Sequence, residues 1–141
     1  MATSVSNAAV TPSAITFTAN DPDTNSTVSG SANAQVSWKT TGGATARTWS
    51  VTVSAPATFS SCATVPASAV TVSCVSVSGG HSGTCGGAAA LSTTGTQVAS
   101  GEESTGTASY SVTLGFTLAD SWKYIASSSC SLSVTYNITA N

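Results

Sequence analysis

The sequence predicts an all-β protein, folded as an antiparallel β-sandwich of about seven to nine strands. Apolar and polar residues alternate in short runs, and β-branched residues fill those runs. Clusters rich in Gly, Asn, Asp and Ser separate the runs and supply turn conformations. Alternation with a period of two places every second side chain on one face, as in a half-buried strand. A chain of 141 residues is long enough to bury its own core, so residues 1–141 are expected to form a single domain.

Each strand is predicted from its own run of residues. Residues 1–12 are expected to form a flexible N-terminal segment or a leading strand. The runs that follow are, in order, AITFTA, AQVSWKT, TWSVTVS, VTVSCVSV, TQVAS, SYSVTLGFTL and CSLSVTYNI. Their phase places Trp38 and Trp49 in the core, and a slip of phase near Cys74 indicates a β-bulge. The segment LADSWKYIAS favours a short helical turn that links the last two strands.

Charge is scarce along the chain, and its scarcity excludes one class of partner. Charged residues make up 6% of the sequence, whereas soluble domains usually carry about 25%. With three basic residues and a net charge of -2, the chain cannot neutralise a row of phosphates, so nucleic-acid binding is excluded. No apolar run approaches the roughly 20 residues of a spanning helix, so membrane insertion is not expected. Serine and threonine hydroxyls must supply most of the polar surface.

The four cysteines, Cys62, Cys74, Cys85 and Cys130, are predicted to form two disulfides. A structural zinc site would need all four, or three of them with His81, yet such sites draw their ligands as close-spaced pairs. A redox pair needs the Cys-x-x-Cys spacing, which is missing. Three pairings are possible, and the preferred one is Cys62–Cys74 with Cys85–Cys130. Disulfides favour an oxidising compartment, so we expect a secreted or cell-surface protein, with no signal peptide visible in this chain.

One loop and one aromatic pair are candidate ligand sites. Asp21, Asp23 and Asn25 have the alternate spacing with which a Ca²⁺ loop begins, although the remainder of an EF-hand loop is missing. An Asx-turn is the alternative structure for that loop. Trp122 and Tyr124 lie between strands, where they either stack on a sugar ring or cover the core. Ca²⁺ is the one cofactor that this pattern suggests.

Catalysis has few candidate residues. His81 is the single histidine, and it lies in the glycine-rich loop SGGHSGTCGG, which is unsuited to hold a base rigidly. Glu102 and Glu103 are adjacent and therefore point to opposite sides of a strand, so they cannot form the facing carboxylate pair of a glycosidase. A hydrolytic enzyme would need a cleft that brings His81 or Asp120 next to one of these glutamates. We therefore expect no catalytic activity.

The arrangement from AITFTANDPDTNSTVSG, through the two Trp strands, to SCSLSVTYNIT resembles the immunoglobulin-like and fibronectin-III-like sandwich domains of bacterial secreted and surface proteins. It differs from antibody domains because its cysteines do not flank a central Trp at the expected separation. The resemblance implies a structural or interaction module and carries no functional residue with it. The leading hypothesis is a non-catalytic structural, adhesive or assembly module whose partners are proteins or glycans at the cell surface, or other copies of itself. The alternative is a carbohydrate-binding module assisted by Ca²⁺.

Overall fold

A computed structural model describes residues 3–18, 23, 26–60, 62, 64–120 and 129–141, and in these ranges the protein is almost entirely β. The strands are β1 (Ser4–Thr11), β2 (Ala14–Thr18), β3 (Thr27–Ser29), β4 (Ala34–Gly43), β5 (Thr48–Ser54), β6 (Val70–Ser78), β7 (Ser82–Cys85), β8 (Ala89–Ala90), β9 (Thr96–Glu102), β10 (Gly106–Ala119), β11 (Ser129–Ser133) and β12 (Thr135–Ala140). One 3-10 turn, Ala67–Ala69, precedes β6.

The strands form two main antiparallel sheets and one small one. The first sheet has the order β1-β4-β10-β6-β8, and β3 pairs with the end of β10. The second sheet has the order β12-β5-β9-β7. Strands β2 and β11 pair with each other, and β11 continues into β12 after the single residue Val134. The chain therefore passes from the first sheet to the small sheet after β1, and from the small sheet to the second sheet after β11.

The core fills the space between the inner faces of the sheets. Trp38 stacks on Tyr110 with ring centroids 5.2 Å apart, and Trp49 meets the edge of Trp38 at 5.4 Å. Phe17 and Phe59 form a second edge-to-face pair near the small sheet. Both tryptophans are 1% exposed, which confirms the core positions predicted from their phase.

Several predicted elements are confirmed, and some details differ. The N-terminal segment is a leading strand, β1, from Ser4 to Thr11, and TQVAS lies within β9. The described residues contain twelve strands, more than the seven to nine predicted, because several short strands extend the sheet margins. The bulge near Cys74 is present, where the register of β6 against β10 shifts. It turns Val75 outward, to 58% exposure. Of the predicted helical turn, LADSWKYIAS, residues 121–127 lie outside the described residues.

Both disulfides form, but the predicted pairing is wrong. The bonds are Cys62–Cys130 and Cys74–Cys85, in place of Cys62–Cys74 and Cys85–Cys130, and no described cysteine is free. The stretch from Cys62 to Cys74 does not turn back on itself as a hairpin. The 3-10 turn lies between them, and the chain then runs into β6, which carries Cys74 away from Cys62.

The actual hairpin-like connection lies after Cys74. Gly79 and Gly80 have φ of 91° and 79°, a left-handed conformation that glycine adopts readily. A Cβ at Gly79 would collide with the carbonyl of Ser109. This turn returns the chain along the second sheet as β7, and it lies midway between Cys74 and Cys85 in sequence. The two cysteines consequently come within 5.3 Å, Cα to Cα, a normal disulfide separation.

Candidate interaction surfaces

The outer face of the first sheet is a field of small polar side chains. The strand registers bring these residues into neighbouring rows on one plane. We call this surface the first outer face. Beside the exposed apolar residues Val75 and Ala9, its polar members include Ser6, Thr11, Gln35, Ser37, Lys39, Thr41, Ser76, Ser78, Ser109, Ser111, Thr113 and Thr117. Lys39 is its one charged member and is exposed.

The outer face of the second sheet repeats this pattern. We call it the second outer face, and its members are Ser50, Thr52, Ser82, Thr84, Gln97, Ser100, Glu102, Asn137 and Thr139. Glu102 is its one charged member. Both sheets therefore present hydroxyl and amide groups, which donate and accept hydrogen bonds, and carry one charge each.

The two long sides of the sandwich are built differently. On one, which we call the stapled side, the sheets end in the short strands β8 and β7, and the disulfide Cys74–Cys85 joins β6 of the first sheet to β7 of the second. Trp49 adds a hydrogen bond from Nε1 to the Ser82 carbonyl, at 3.3 Å. On the other, which we call the open side, the sheets end in β1 and β12. Among the described strands, no main-chain ladder joins these two.

The inward-facing residues of the open side are incompletely covered. On β12 they are Tyr136, Ile138 and Ala140, and all three are half-buried. On β1, Val10 is half-buried and Val5 is 37% exposed. The inward residues of the adjacent strand β5 are at most 1% exposed. The apolar interior therefore reaches the surface along the open side.

Tyr136 places a polar atom, its hydroxyl oxygen, on this incompletely covered side. Its hydroxyl is buried, and it has no hydrogen-bond partner among the described residues. Removal from water disfavours the charged phenolate, so burial raises the pKa of Tyr136 from 10.0 to about 12.

The free main-chain groups of β12 can be assigned from one hydrogen bond. The N–H of Asn141 donates to the Thr48 carbonyl of β5, at 3.2 Å. Main-chain groups alternate in direction along a strand, and β12 pairs with β5 in continuous register from Thr135 to Ala140. The N–H and C=O groups of Tyr136, Ile138 and Ala140 therefore point away from β5, toward the open side.

A polar cluster around the buried Glu103 holds one end of the open side. Glu103 is fully buried, and its Oε2 accepts a hydrogen bond from Thr3 Oγ1 at 2.8 Å. The same Thr3 oxygen lies 2.6 Å from the Asn141 carbonyl and accepts from Arg47 Nη1 at 3.2 Å. Glu103 Oε1 has no partner among the described residues. The cluster ties the start of β1 to the end of β12 through the side chain of Thr3.

Sequence reasoning missed this cluster. It treated Glu103 as one half of an adjacent acidic pair, and it correctly expected Glu102 and Glu103 to face opposite ways. The available signal was that Glu103 lies in phase with the inward-facing residues of β9, next to the outward-facing Glu102. The side-chain partner of Glu103 is Thr3, a hundred residues earlier in the chain, and Thr3 in turn contacts the carbonyl of Asn141. No local pattern indicates such distant contacts.

Of the candidate catalytic residues, His81 and Glu102 lie close to each other. His81 Nε2 is 3.7 Å from Glu102 Oε2, but the two side chains are 58% and 50% exposed. Two surface cavities of about 170 and 250 Å³ lie elsewhere, at the bulge of β1 and beside the 3-10 turn. Neither is lined by His81, Glu102, Glu103 or Asp120. The imidazole and the carboxylate therefore meet in solvent.

The candidate ligand sites fall largely outside the described ranges. Asp21 and Asn25 of the calcium loop and the aromatic pair Trp122 and Tyr124 are not among the described residues, while Asp23 is described and exposed. Within the described ranges, no three His, Cys, Asp or Glu side chains gather where they could hold a metal ion. In the same ranges, no helix is long and apolar enough to cross a membrane.

Comparison of the chain with protein-family models, curated proteins and solved structures finds no match. The similarity to immunoglobulin-like and fibronectin-III-like domains therefore stays a prediction.

Proposed function

We propose that this protein is a secreted or cell-surface structural module that does no chemistry and acts by contact with other protein chains or with glycans. The observation that supports the proposal most directly is the pair of outer faces, each covered with hydroxyl and amide groups and each carrying one charge. Surface charge is what usually keeps soluble proteins apart. A face without it can approach a second surface closely, with little electrostatic cost.

The two disulfides agree with this setting. Disulfides persist outside the reducing cytosol, and they stabilise small extracellular domains. The bonds Cys62–Cys130 and Cys74–Cys85 hold different parts of the sandwich. A sparsely charged domain fastened by two disulfides suits a mechanical or adhesive role.

A carbohydrate-binding module draws less support. Such a module presents flat aromatic rings to sugars, and Trp38 and Trp49 are buried against each other and against Tyr110. Trp122 and Tyr124 are the aromatic residues left for that role. Hydrolysis draws less support as well, because the His81–Glu102 pair lies in solvent.

The test is to place charge on the outer faces and measure association. Three proteins are compared: the natural chain, Ser111→Lys/Thr113→Lys on the first outer face, and Ser50→Lys/Thr52→Lys on the second. Self-association is measured by light scattering up to about 1 mM, and adhesion by retention on insoluble cellulose and chitin. We expect the natural chain to associate or to be retained, and lysines on the contacting face to weaken it. A natural chain that neither associates nor is retained overturns the proposal.

A further inference from the structure

Strand β12 is the least protected margin of the two main sheets. Proteins usually protect an exposed strand edge with charge, proline, a bulge or a very short strand. Strands β8, β3 and β7 are two, three and four residues long. Strand β1 is longer, but it carries a register break between Ser6 and Ala9, with Asn7 at a φ of 52°. By contrast, the six residues of β12, TYNITA, contain no charge, no proline and no bulge.

The inner face of β12 adds a second, independent observation. Tyr136, Ile138 and Ala140 are only half-buried, whereas the inward residues of β5 and β11 next to it are buried. The same three residues direct toward the open side N–H and C=O groups that have no ladder partner among the described strands. One further strand beside β12 would pair the main-chain groups and cover the side chains together.

We propose that this strand is β12 of a second copy of the chain, paired antiparallel about a two-fold axis at Ile138. The inference rests on the contact role proposed above and specifies its geometry. In this register Tyr136 lies opposite the second copy's Ala140, and the two Ile138 residues face each other. Every outward-pointing main-chain group of β12 then has a partner, and the two four-stranded second sheets become one continuous sheet.

In this register the inner faces of the two copies form one continuous face, and so do their outer faces. A two-fold axis perpendicular to the sheet leaves inner side chains inside and outer side chains outside, so residues of equal phase must lie opposite each other. The half-buried inner side chains therefore cover each other across the axis. On the second outer face, Asn137 lies opposite the second copy's Thr139. Both are uncharged and exposed, so two copies meet without repulsion.

A second copy fits this edge better than an unrelated peptide. Each copy supplies the same free edge, the same uncovered inner row and the same uncharged outer residues, so one surface satisfies both partners of an isologous contact. A foreign strand would have to match this alternation by chance.

The experiment uses two variants that differ at a single position. Asn137→Lys/Thr139→Lys places Lys opposite Lys twice across the axis. Asn137→Lys/Thr139→Glu places Lys opposite Glu twice. Both changes lie on the outer side of β12, away from the core, and circular dichroism verifies that both variants fold. Sedimentation equilibrium up to about 1 mM measures the dimer dissociation constant of each.

We expect the natural chain to show a monomer–dimer equilibrium. The Lys/Lys variant should weaken the dimer about tenfold, and the Lys/Glu variant should hold it near the natural value. In about 1 M salt the Lys/Lys dimer should largely recover, because the repulsion is screened. This recovery marks an electrostatic effect at the contact and separates it from misfolding.

Three results would overturn the inference, and they bear differently on the proposed function. If the natural chain stays monomeric but adheres to cellulose or chitin, the β12 dimer is wrong and the contact role stands. If it dimerises and the two variants behave alike, the copies meet through another surface. If it neither dimerises nor adheres, the inference and the proposed function fail together.

Discussion

The stapled side and the open side solve the same physical problem in two ways. Each side of a sandwich leaves the last strand of each sheet with unpaired main-chain groups and apolar side chains near solvent. The stapled side ends in short strands and a covalent bond, Cys74–Cys85. The open side ends in two longer strands, held at one corner by the contacts of Thr3 with Glu103 and with the Asn141 carbonyl.

The difference shows that closing a sandwich and completing its core are separate tasks. On the stapled side, Trp49 is buried and its indole N–H has a partner in Ser82. On the open side, Tyr136 has a buried hydroxyl without a partner among the described residues, and its row stays half-covered. The inward side chains of the open side are only half-buried in one copy, so this is the side where we expect a second copy to bind.

The largest expected effect comes from removing the disulfides one at a time. Cys62→Ala/Cys130→Ala opens a loop with a sequence separation of 68, and Cys74→Ala/Cys85→Ala one with a separation of 11. The loop-entropy relation predicts losses in the free energy of unfolding of about 4 and about 3 kcal/mol. Urea denaturation of the three proteins measures these losses. The second variant loosens the stapled side and should leave dimerisation through β12 unchanged.

A mispaired variant serves as the control. Cys62→Ala/Cys74→Ala removes one cysteine from each bond and leaves Cys85 and Cys130, which belong to different bonds. Because Cys130 is 3% exposed in the folded chain, the variant is unfolded in urea without reductant, and both remaining thiols should then react with iodoacetamide. A Cys85–Cys130 bond that resists alkylation would contradict the pairing. Mapping needs a protease such as thermolysin, because the chain contains only three Lys and Arg residues.

The disulfides also show how far sequence reasoning reached. Period-two alternation predicted the strands and the inward positions of Trp38 and Trp49, because burial of one sheet face leaves a local trace. It missed the pairing, although the Gly79-Gly80 turn midway between Cys74 and Cys85 was a usable signal. The proline turn at Pro66 drew the prediction to Cys62–Cys74 instead.

The open side was beyond prediction for a physical reason. Whether a strand lies at a margin depends on which strands pair, and β12 pairs with β5 across more than eighty residues of chain. Its alternating pattern is that of a strand with one buried face, and it contains nothing that marks a free edge. The low charge of both outer faces, by contrast, was predictable from the scarcity of Lys, Arg, Asp and Glu alone.

A smaller effect compares two residues on the same run of chain. Leu132 of β11 is 1% exposed, and Ile138 of β12 lies on the same inner face but is half-buried. Leu132→Ala should cost about 2–5 kcal/mol of unfolding free energy, and Ile138→Ala about 1 kcal/mol, because a partly exposed side chain loses less contact and leaves no closed cavity. Urea denaturation at low protein concentration measures both. Equal costs would mean that the open side is as well covered as the core.

Protein concentration sharpens the same measurement. If two copies cover Ile138, the cost of Ile138→Ala should rise when the denaturation is repeated at concentrations that favour the dimer. The cost of Leu132→Ala should not change with protein concentration, since this side chain is already enclosed within one copy. A concentration-independent difference between the two variants would support an open side but contradict its use as a dimer contact.

The smallest effect is the alkaline titration of Tyr136. Burial raises its pKa from 10.0 to about 12, so between these values the folded state keeps a proton that the unfolded state has lost. The free energy of unfolding must then fall as the pH rises through that window, while the contribution of Tyr136 is complete below about pH 10. At neutral pH, Tyr136→Phe should cost little, because the hydroxyl has no partner among the described residues.

The measurement is the difference in unfolding free energy between the natural chain and Tyr136→Phe, from about pH 9 to about pH 11.5. Other groups titrate in both proteins and cancel in the difference, so the natural chain should lose stability relative to the variant as the pH rises. Parallel curves would show that the phenol is open to solvent. The titration also reports on the open side, because a second copy of β12 covers the same ring and should make the relative loss steeper at high protein concentration. A loss that is the same at low and high concentration would place the dimer contact away from Tyr136.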